Sequence, residues 1–194
     1  MRPGGPPGQR PAQALARYLA KMRGASRGAP PRVGNAEVFW SWLGSLVGIG
    51  LVAWLNGIWL AETDALLLIG SLGASAVLLY GAPRSPLAQP RNLIGGHVLS
   101  ACVGVSAWLL LGPIPWLAAA LAVSTAIALM HLTRTLHPPG GATALIAVIG
   151  SDQVHALGYL FVLVPAALGP LLMLLVALLV NNLAPGRHYP ESWF

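Results

Sequence analysis

Apolar residues in this chain arrive in long unbroken runs, not in the polar and apolar alternation of a water-soluble fold. Six runs follow one another, at about 38–59, 64–81, 93–111, 116–133, 138–150 and 156–181. A helix that crosses a bilayer needs roughly 20 apolar residues, and the first, third, fourth and sixth runs reach about that length. The second is interrupted by Gly70-Ser71-Leu72-Gly73-Ala74-Ser75, and the fifth is too short to cross as a helix. The pattern predicts an all-α, polytopic transmembrane helical bundle with two short or broken helices. Pro165 and Pro170 are expected to kink the sixth run, because proline removes a backbone donor and clashes with the preceding turn.

The fifth run opens with His137-Pro138-Pro139-Gly140-Gly141-Ala142-Thr143. Proline suits the first turn of a helix, and glycine lets another group approach the backbone. A helix is therefore expected to begin abruptly near Pro139–Gly141. The second run echoes it: Gly73-Ala74-Ser75 before an apolar stretch ending at Gly81 matches Gly141-Ala142-Thr143 before one ending at Gly150. Each echo is the middle of three runs, and the two groups enter from opposite sides. This predicts two inverted repeats of three segments each, an arrangement common among transporters.

Composition fixes the setting. The chain is 56% hydrophobic and 8% charged, against about 25% charged in soluble domains. Its net charge of +6 comes mainly from the first 32 residues, which argues for a membrane surface and not for nucleic acid. Residues 1–34 read as a basic cytoplasmic tail. Leu15, Tyr18, Leu19 and Met22 share one helical face there, so the tail is either a short amphipathic helix on the membrane or unstructured. Residues 35–183 read as the transmembrane domain and 184–194 as a short cytoplasmic C-terminal tail. Six crossings place Arg84, Arg91, Arg134 and Arg187 on one side, so both termini are expected to be cytoplasmic. Were the fifth run to enter and leave on the same side, Arg187 would fall outside. The expected location is a bacterial inner membrane, and a homo-oligomer, most simply a dimer, is expected on size.

Candidate chemistry follows from the breaks. With half-helices starting near Gly73 and Gly140, two helix N-termini would face each other at the bilayer midplane. Each offers unpaired N–H groups and partial positive charge, which makes a site for a small monovalent anion. Its expected lining is Gly73, Ala74 and Ser75 with His137, Gly140, Gly141, Ala142 and Thr143. Arg91, His97, His131 and Arg134 are expected to form a basic inner vestibule, with interfacial anchoring as the plainer reading of these residues. A metal site is not expected, since the histidines lack metalloprotease spacing and have no carboxylate among them. No carboxylate pair lies in the apolar runs, so no enzyme and no cofactor is expected. Cys102 stands alone and allows no internal disulfide. Two further readings stay open: a non-transporting membrane scaffold or partner subunit, and a proton or cation path through the histidines.

The stretch Leu136-His137-Pro138-Pro139-Gly140-Gly141-Ala142-Thr143-Ala144 resembles the HPP family of integral membrane proteins. Gly70 to Leu78 and Pro90-Arg91-Asn92-Leu93-Ile94-Gly95-Gly96-His97 look like its other marked segments. The similarity covers about residues 35–183. The family is usually described with four transmembrane helices, against the six crossings read above. Some members carry C-terminal CBS domains, of which this sequence shows none. Plastid and cyanobacterial members are implicated in nitrite transport, so the resemblance implies a path for a nitrite-like anion across the lipid bilayer.

Overall fold

A computed structural model describes residues 11–22, 31–59 and 62–194, without the side chains of 11–15, 17, 56, 59, 62–67 and 69. The expected place of Leu15 on the tail's helical face lies outside the described side chains. Contacts divide the chain into Met1–Val33 and Gly34–Phe194. In the first unit, helix α1 spans Pro11–Met22 and leaves Tyr18, Leu19 and Met22 exposed.

The second unit is helical throughout its regular elements. Helix α2 spans Asn35–Trp59 and α3 spans Glu62–Ala76, continuing into a π-helical turn at Val77–Gly81. Then come α4 (Pro90–Leu111), α5 (Pro115–Thr133) and the short α6 (Pro138–Ile149). Helices α7 (Asp152–Leu157), α8 (Leu160–Leu163) and α9 (Leu168–Leu183) complete it. Four stretches, 35–55, 90–111, 115–133 and 160–183, are long and apolar enough to cross a membrane; Gly70–Gly81 and Pro138–Ile149 are shorter apolar helices. The protein is an integral, multi-pass membrane protein.

The second run departs from expectation. No half-helix begins at Gly73, because α3 passes through Gly70–Ser75 without a break. Glycine costs a helix about 1 kcal/mol relative to alanine, too little to end one without proline. The irregularity comes one turn later, where Val77–Gly81 winds as a π turn. Buried Asn181 of α9 donates to the Leu79 carbonyl there (2.9 Å). Pro165 does more than kink the sixth run: the helix stops at Leu163 and restarts at Leu168, with Pro170 inside the new first turn.

Contacts between helix ends settle which ends lie together. Arg187 just past α9 pairs with Glu37 at the start of α2 (2.7 Å). Tyr189 donates to the Ala88 carbonyl, and the Arg84 guanidinium donates to Gly186 O. Arg91 at the start of α4 donates to Thr133 O at the end of α5, and Asn92 donates to Leu136 O. So Arg84, Arg91, Arg134 and Arg187 share one end of the bundle. At twelve residues α6 is about 18 Å long, shorter than the roughly 30 Å hydrocarbon core. Its flanks reach toward the two ends of α4: His137 lies against Gly96 near its start, and His155 of α7 stacks on Trp108 near its far end (3.6 Å).

Some helix neighbours match across the two expected repeats, although the close α4–α6 seam has only a slight counterpart between α3 and α9. Exchanging α2 with α5, α3 with α6 and α4 with α9 maps the pair α2·α3 onto α5·α6 and α2·α9 onto α5·α4. The pair α3·α6 maps onto itself, at the junction of the halves. The tightest seam is between α4 and α6. A methyl at Gly104 would stand 2.5 Å from the Ala144 carbonyl, and one at Gly140 would stand 2.7 Å from the Gly96 carbonyl. Small residues let these two backbones meet, as membrane helix packing requires.

Candidate functional site

The close seam between α4 and α6 sets His97 beside Thr143, and the α3–α6 junction sets Ser71 and Ser75 against both. Ser71 and Ser75 are four apart and share a face of α3. His137 joins them from the start of α6. None of these five side chains is more than 2% exposed.

They form one continuous hydrogen-bonded chain. His137 donates from Nδ1 to the Leu87 carbonyl (2.8 Å), because a carbonyl can only accept. Its Nε2 meets Ser75 Oγ at 2.9 Å. Ser75 Oγ also meets His97 Nε2 at 2.9 Å, and His97 Nδ1 meets Thr143 Oγ1 at 2.7 Å. Thr143 Oγ1 lies 3.0 Å from Ser71 Oγ, which donates to the Pro139 carbonyl at 2.9 Å. The two imidazole centroids are 5.1 Å apart. Ser71 and Pro139 occupy equivalent places in the two repeats when Ser75 is matched to Thr143, so the chain crosses the junction where the repeats meet.

The helix N-terminus of α6 is not the expected anion cradle. Pro138 and Pro139 have no N–H, and the Gly140 N–H donates to the His137 carbonyl (2.8 Å). The prolines that start the helix abruptly also remove the donors that would have greeted an anion. With no N-terminus at Gly73 either, the pair of facing half-helix tips is absent. Side-chain hydroxyls and imidazoles stand at the junction in place of backbone N–H groups.

The expected site residues therefore separate. Ser75, His137 and Thr143 converge as predicted. Ala74 is exposed, and Gly73 is half-buried with open space where a side chain would go. Gly140 is buried against Gly96 and Ser100, whereas Gly141 is buried with Val123 of α5 its nearest neighbour at 3.8 Å, and Ala142 is half-buried. Of the expected vestibule, Arg91, His131 and Arg134 are exposed, while His97 lies in the buried chain. Sequence reasoning passed over Ser71, although its four-residue spacing from Ser75 put both hydroxyls on one face. Asn181 is fully buried and joins the π turn to Arg187 (2.8 Å). A separate apolar cavity of about 600 Å³ lies between α2 and α7–α9, lined by Val52, Leu55, Leu157, Leu160 and neighbours. It does not include the polar chain.

Comparison with known proteins agrees with this architecture. A transmembrane protein of Dictyostelium discoideum is 48% identical over 169 residues, covering 86% of this chain and 54% of its own length. A second transmembrane protein of Dictyostelium discoideum is 48% identical over 168 residues, covering 85% of this chain and 59% of its own length. The chain thus spans little more than half of each relative. Both come from Dictyostelium and lend no support to the expected bacterial inner membrane. No solved structure matches. The family described as HPP, transmembrane region, matches residues 30–190, and the chain belongs to that family.

Proposed function

We propose that this protein is a non-enzymatic transporter of a small monovalent anion, with nitrite as the first candidate, and that the anion crosses at the junction of the two repeats. The observation that carries this reading is the buried chain Ser71, Ser75, His97, His137 and Thr143. Polar and ionisable groups inside a membrane bundle are costly, and they usually mark a solute path. Hydroxyl and imidazole donors bind an anion weakly enough to release it, which conduction requires. The chain is closed on itself, so an anion must part it. The π turn at Val77–Gly81, next to Ser75, is the natural hinge, since such turns recur at functional sites. The end carrying Arg84, Arg91 and Arg134 is the cytoplasmic mouth under the positive-inside bias.

Purified protein in liposomes, challenged with a nitrite gradient, tests this. Nitrite entry several-fold above that of empty liposomes is expected, and equal rates would overturn the proposal. A second reading, a non-transporting scaffold, draws on the mutual pairing of all five side chains. It predicts the equal rates.

A further inference from the structure

The buried chain has one more link than it has hydrogens. Six contacts join it end to end, at 2.8, 2.9, 2.9, 2.7, 3.0 and 2.9 Å from Leu87 O to Pro139 O. Each contact needs one hydrogen between its atoms. Both ends are carbonyls, which supply none. The five members supply one each when both imidazoles are neutral: three hydroxyls and two ring N–H groups. Five hydrogens cannot fill six links. In the neutral chain, one pair of lone pairs must face each other without a hydrogen, in a buried place where an unmade hydrogen bond is costly.

One added proton completes it. With His137 as imidazolium, Nδ1 donates to Leu87 O and Nε2 donates to Ser75. Ser75 then donates to His97 Nε2, His97 Nδ1 to Thr143, Thr143 to Ser71, and Ser71 to Pro139 O. With His97 as the imidazolium, Ser75 reverses and donates to His137 Nε2, and every other link stands. Moving between the two forms breaks the Nε2–H bond of His137 and forms an O–H bond on Ser75. At the same time it breaks the old O–H bond of Ser75 and forms an Nε2–H bond on His97. The charge passes from one ring to the other, and no atom moves further than a hydrogen-bond length.

The groups around the rings offer no other source of charge. Helix α3 presents Ser71 and Ser75, α6 presents Thr143 and the Pro139 carbonyl, and the segment before α4 presents the Leu87 carbonyl. Helix α5 faces α6 with Ala122, Ala126 and Met130. Helix α9 faces α3 with Gly169, which lies against Leu72. Among the described residues, no carboxylate, Lys or Arg pairs with either ring, and each ring is the other's titratable neighbour.

We infer that the chain is a binding site for a single proton, shared by His97 and His137 through the Ser75 hydroxyl. This rests on the same site as the proposed transport but not on transport itself. In a transporter, the proton would neutralise the passing anion and couple the two movements.

The count makes an unusual prediction. Apart from its long 3.4 Å contact with the Ser71 carbonyl of its own helix, replacing Ser75 by Ala removes two links and one hydrogen, leaving four links and four hydrogens, so the shortfall disappears. The test uses the full-length protein carrying His131→Gln, His155→Gln and His188→Gln, which leaves His97 and His137 as its only histidines. Nitrogen-15 magnetic resonance, titrated from pH 9 to pH 5, reads how many of their four ring nitrogens carry hydrogen. Three protonated nitrogens in place of two at the acid end, with one proton taken up by the pair, is the expected result. Adding Ser75→Ala should hold the number at two across the same range. Two throughout without Ser75→Ala, four at pH 5, or the same uptake with and without Ser75 would each overturn the inference. Thr143→Val removes the shortfall by the same arithmetic, so it serves as a second variant should Ser75→Ala not fold. Because the readout needs no nitrite, the proton site and the anion path can fail separately.

Discussion

Replacing Gly96 with alanine tests whether the α4–α6 seam holds the polar chain in place. A methyl there would stand 2.5 Å from His137 Cβ and 3.1 Å from the Thr135 carbonyl. Carbon atoms in ordinary contact lie about 3.5–4.0 Å apart, so the start of α6 must retreat by about 1 Å. Overpacking of this kind costs about 1–3 kcal/mol. The retreat also carries His137 Nε2 beyond hydrogen-bond range of Ser75, now 2.9 Å away, at about 1 kcal/mol more. Alanine returns about 1 kcal/mol of helix propensity, leaving a net loss of about 1–3 kcal/mol by these principles. Gly141→Ala is the control. Its methyl meets nothing nearer than Val123 at 3.8 Å, so it should be neutral or stabilising by up to about 1 kcal/mol. Unfolding in mixed micelles with increasing dodecyl sulfate measures both. Equal stability of the two variants would refute the reasoning, since it assigns opposite roles to two glycines on the neighbouring helices α4 and α6.

Other outcomes follow from the same contacts. Asn181→Leu leaves the Leu79 carbonyl of the π turn without its donor, and a loss of about 1–3 kcal/mol is expected. Hydrogen exchange of the amides at 77–82 should quicken in that variant, and unchanged protection would separate Asn181 from the turn. Tyr189, in the C-terminal segment, is buried and donates to the Ala88 carbonyl. Burial raises its phenol well above the ordinary value of 10. Above that value the released tail gives up its proton while the docked tail keeps it, so docking weakens as pH rises from 10 toward the raised value. Protease cleavage within 184–194 should accelerate through that window in the native protein and show no such step in Tyr189→Phe.

Much of the architecture was legible because lipid imposes a simple code. Run lengths located α2, α4 and α5 to within a few residues, whereas the sixth run divides into three helices, and the arginines marked the end they share. Proline told the truth where it occurred: Pro138 and Pro165 sit at a real start and a real break. Glycine misled, because Gly70 and Gly73 look like a break, yet α3 runs through both with open space where a side chain would go. The π turn at Val77–Gly81 had no residue signature, since it depends on a donor from Asn181, a hundred residues away in sequence. At the site, His137, Ser75 and Thr143 were readable from their motif. Ser71 was missed although its hydroxyl shares a face with Ser75. The sequence puts His97 in the inner vestibule, because its depth depends on how closely α4 and α6 approach, and that is fixed by Gly96, Gly104 and Gly140 acting together. The error over helix tips had the same origin: a proline-led start was taken as a source of free donors, when proline supplies none.

The measurement closest to the centre of this account is nitrite flux through Ser75→Ala protein in liposomes, beside the unsubstituted protein and empty vesicles. Ser75 alone joins the two imidazoles, at 2.9 Å from each. With the inserted, folded protein matched in amount, a fall to the level of empty vesicles is expected. Flux through Ser75→Ala equal to that of the unsubstituted protein would contradict the account, because solute would then be crossing somewhere other than the buried junction.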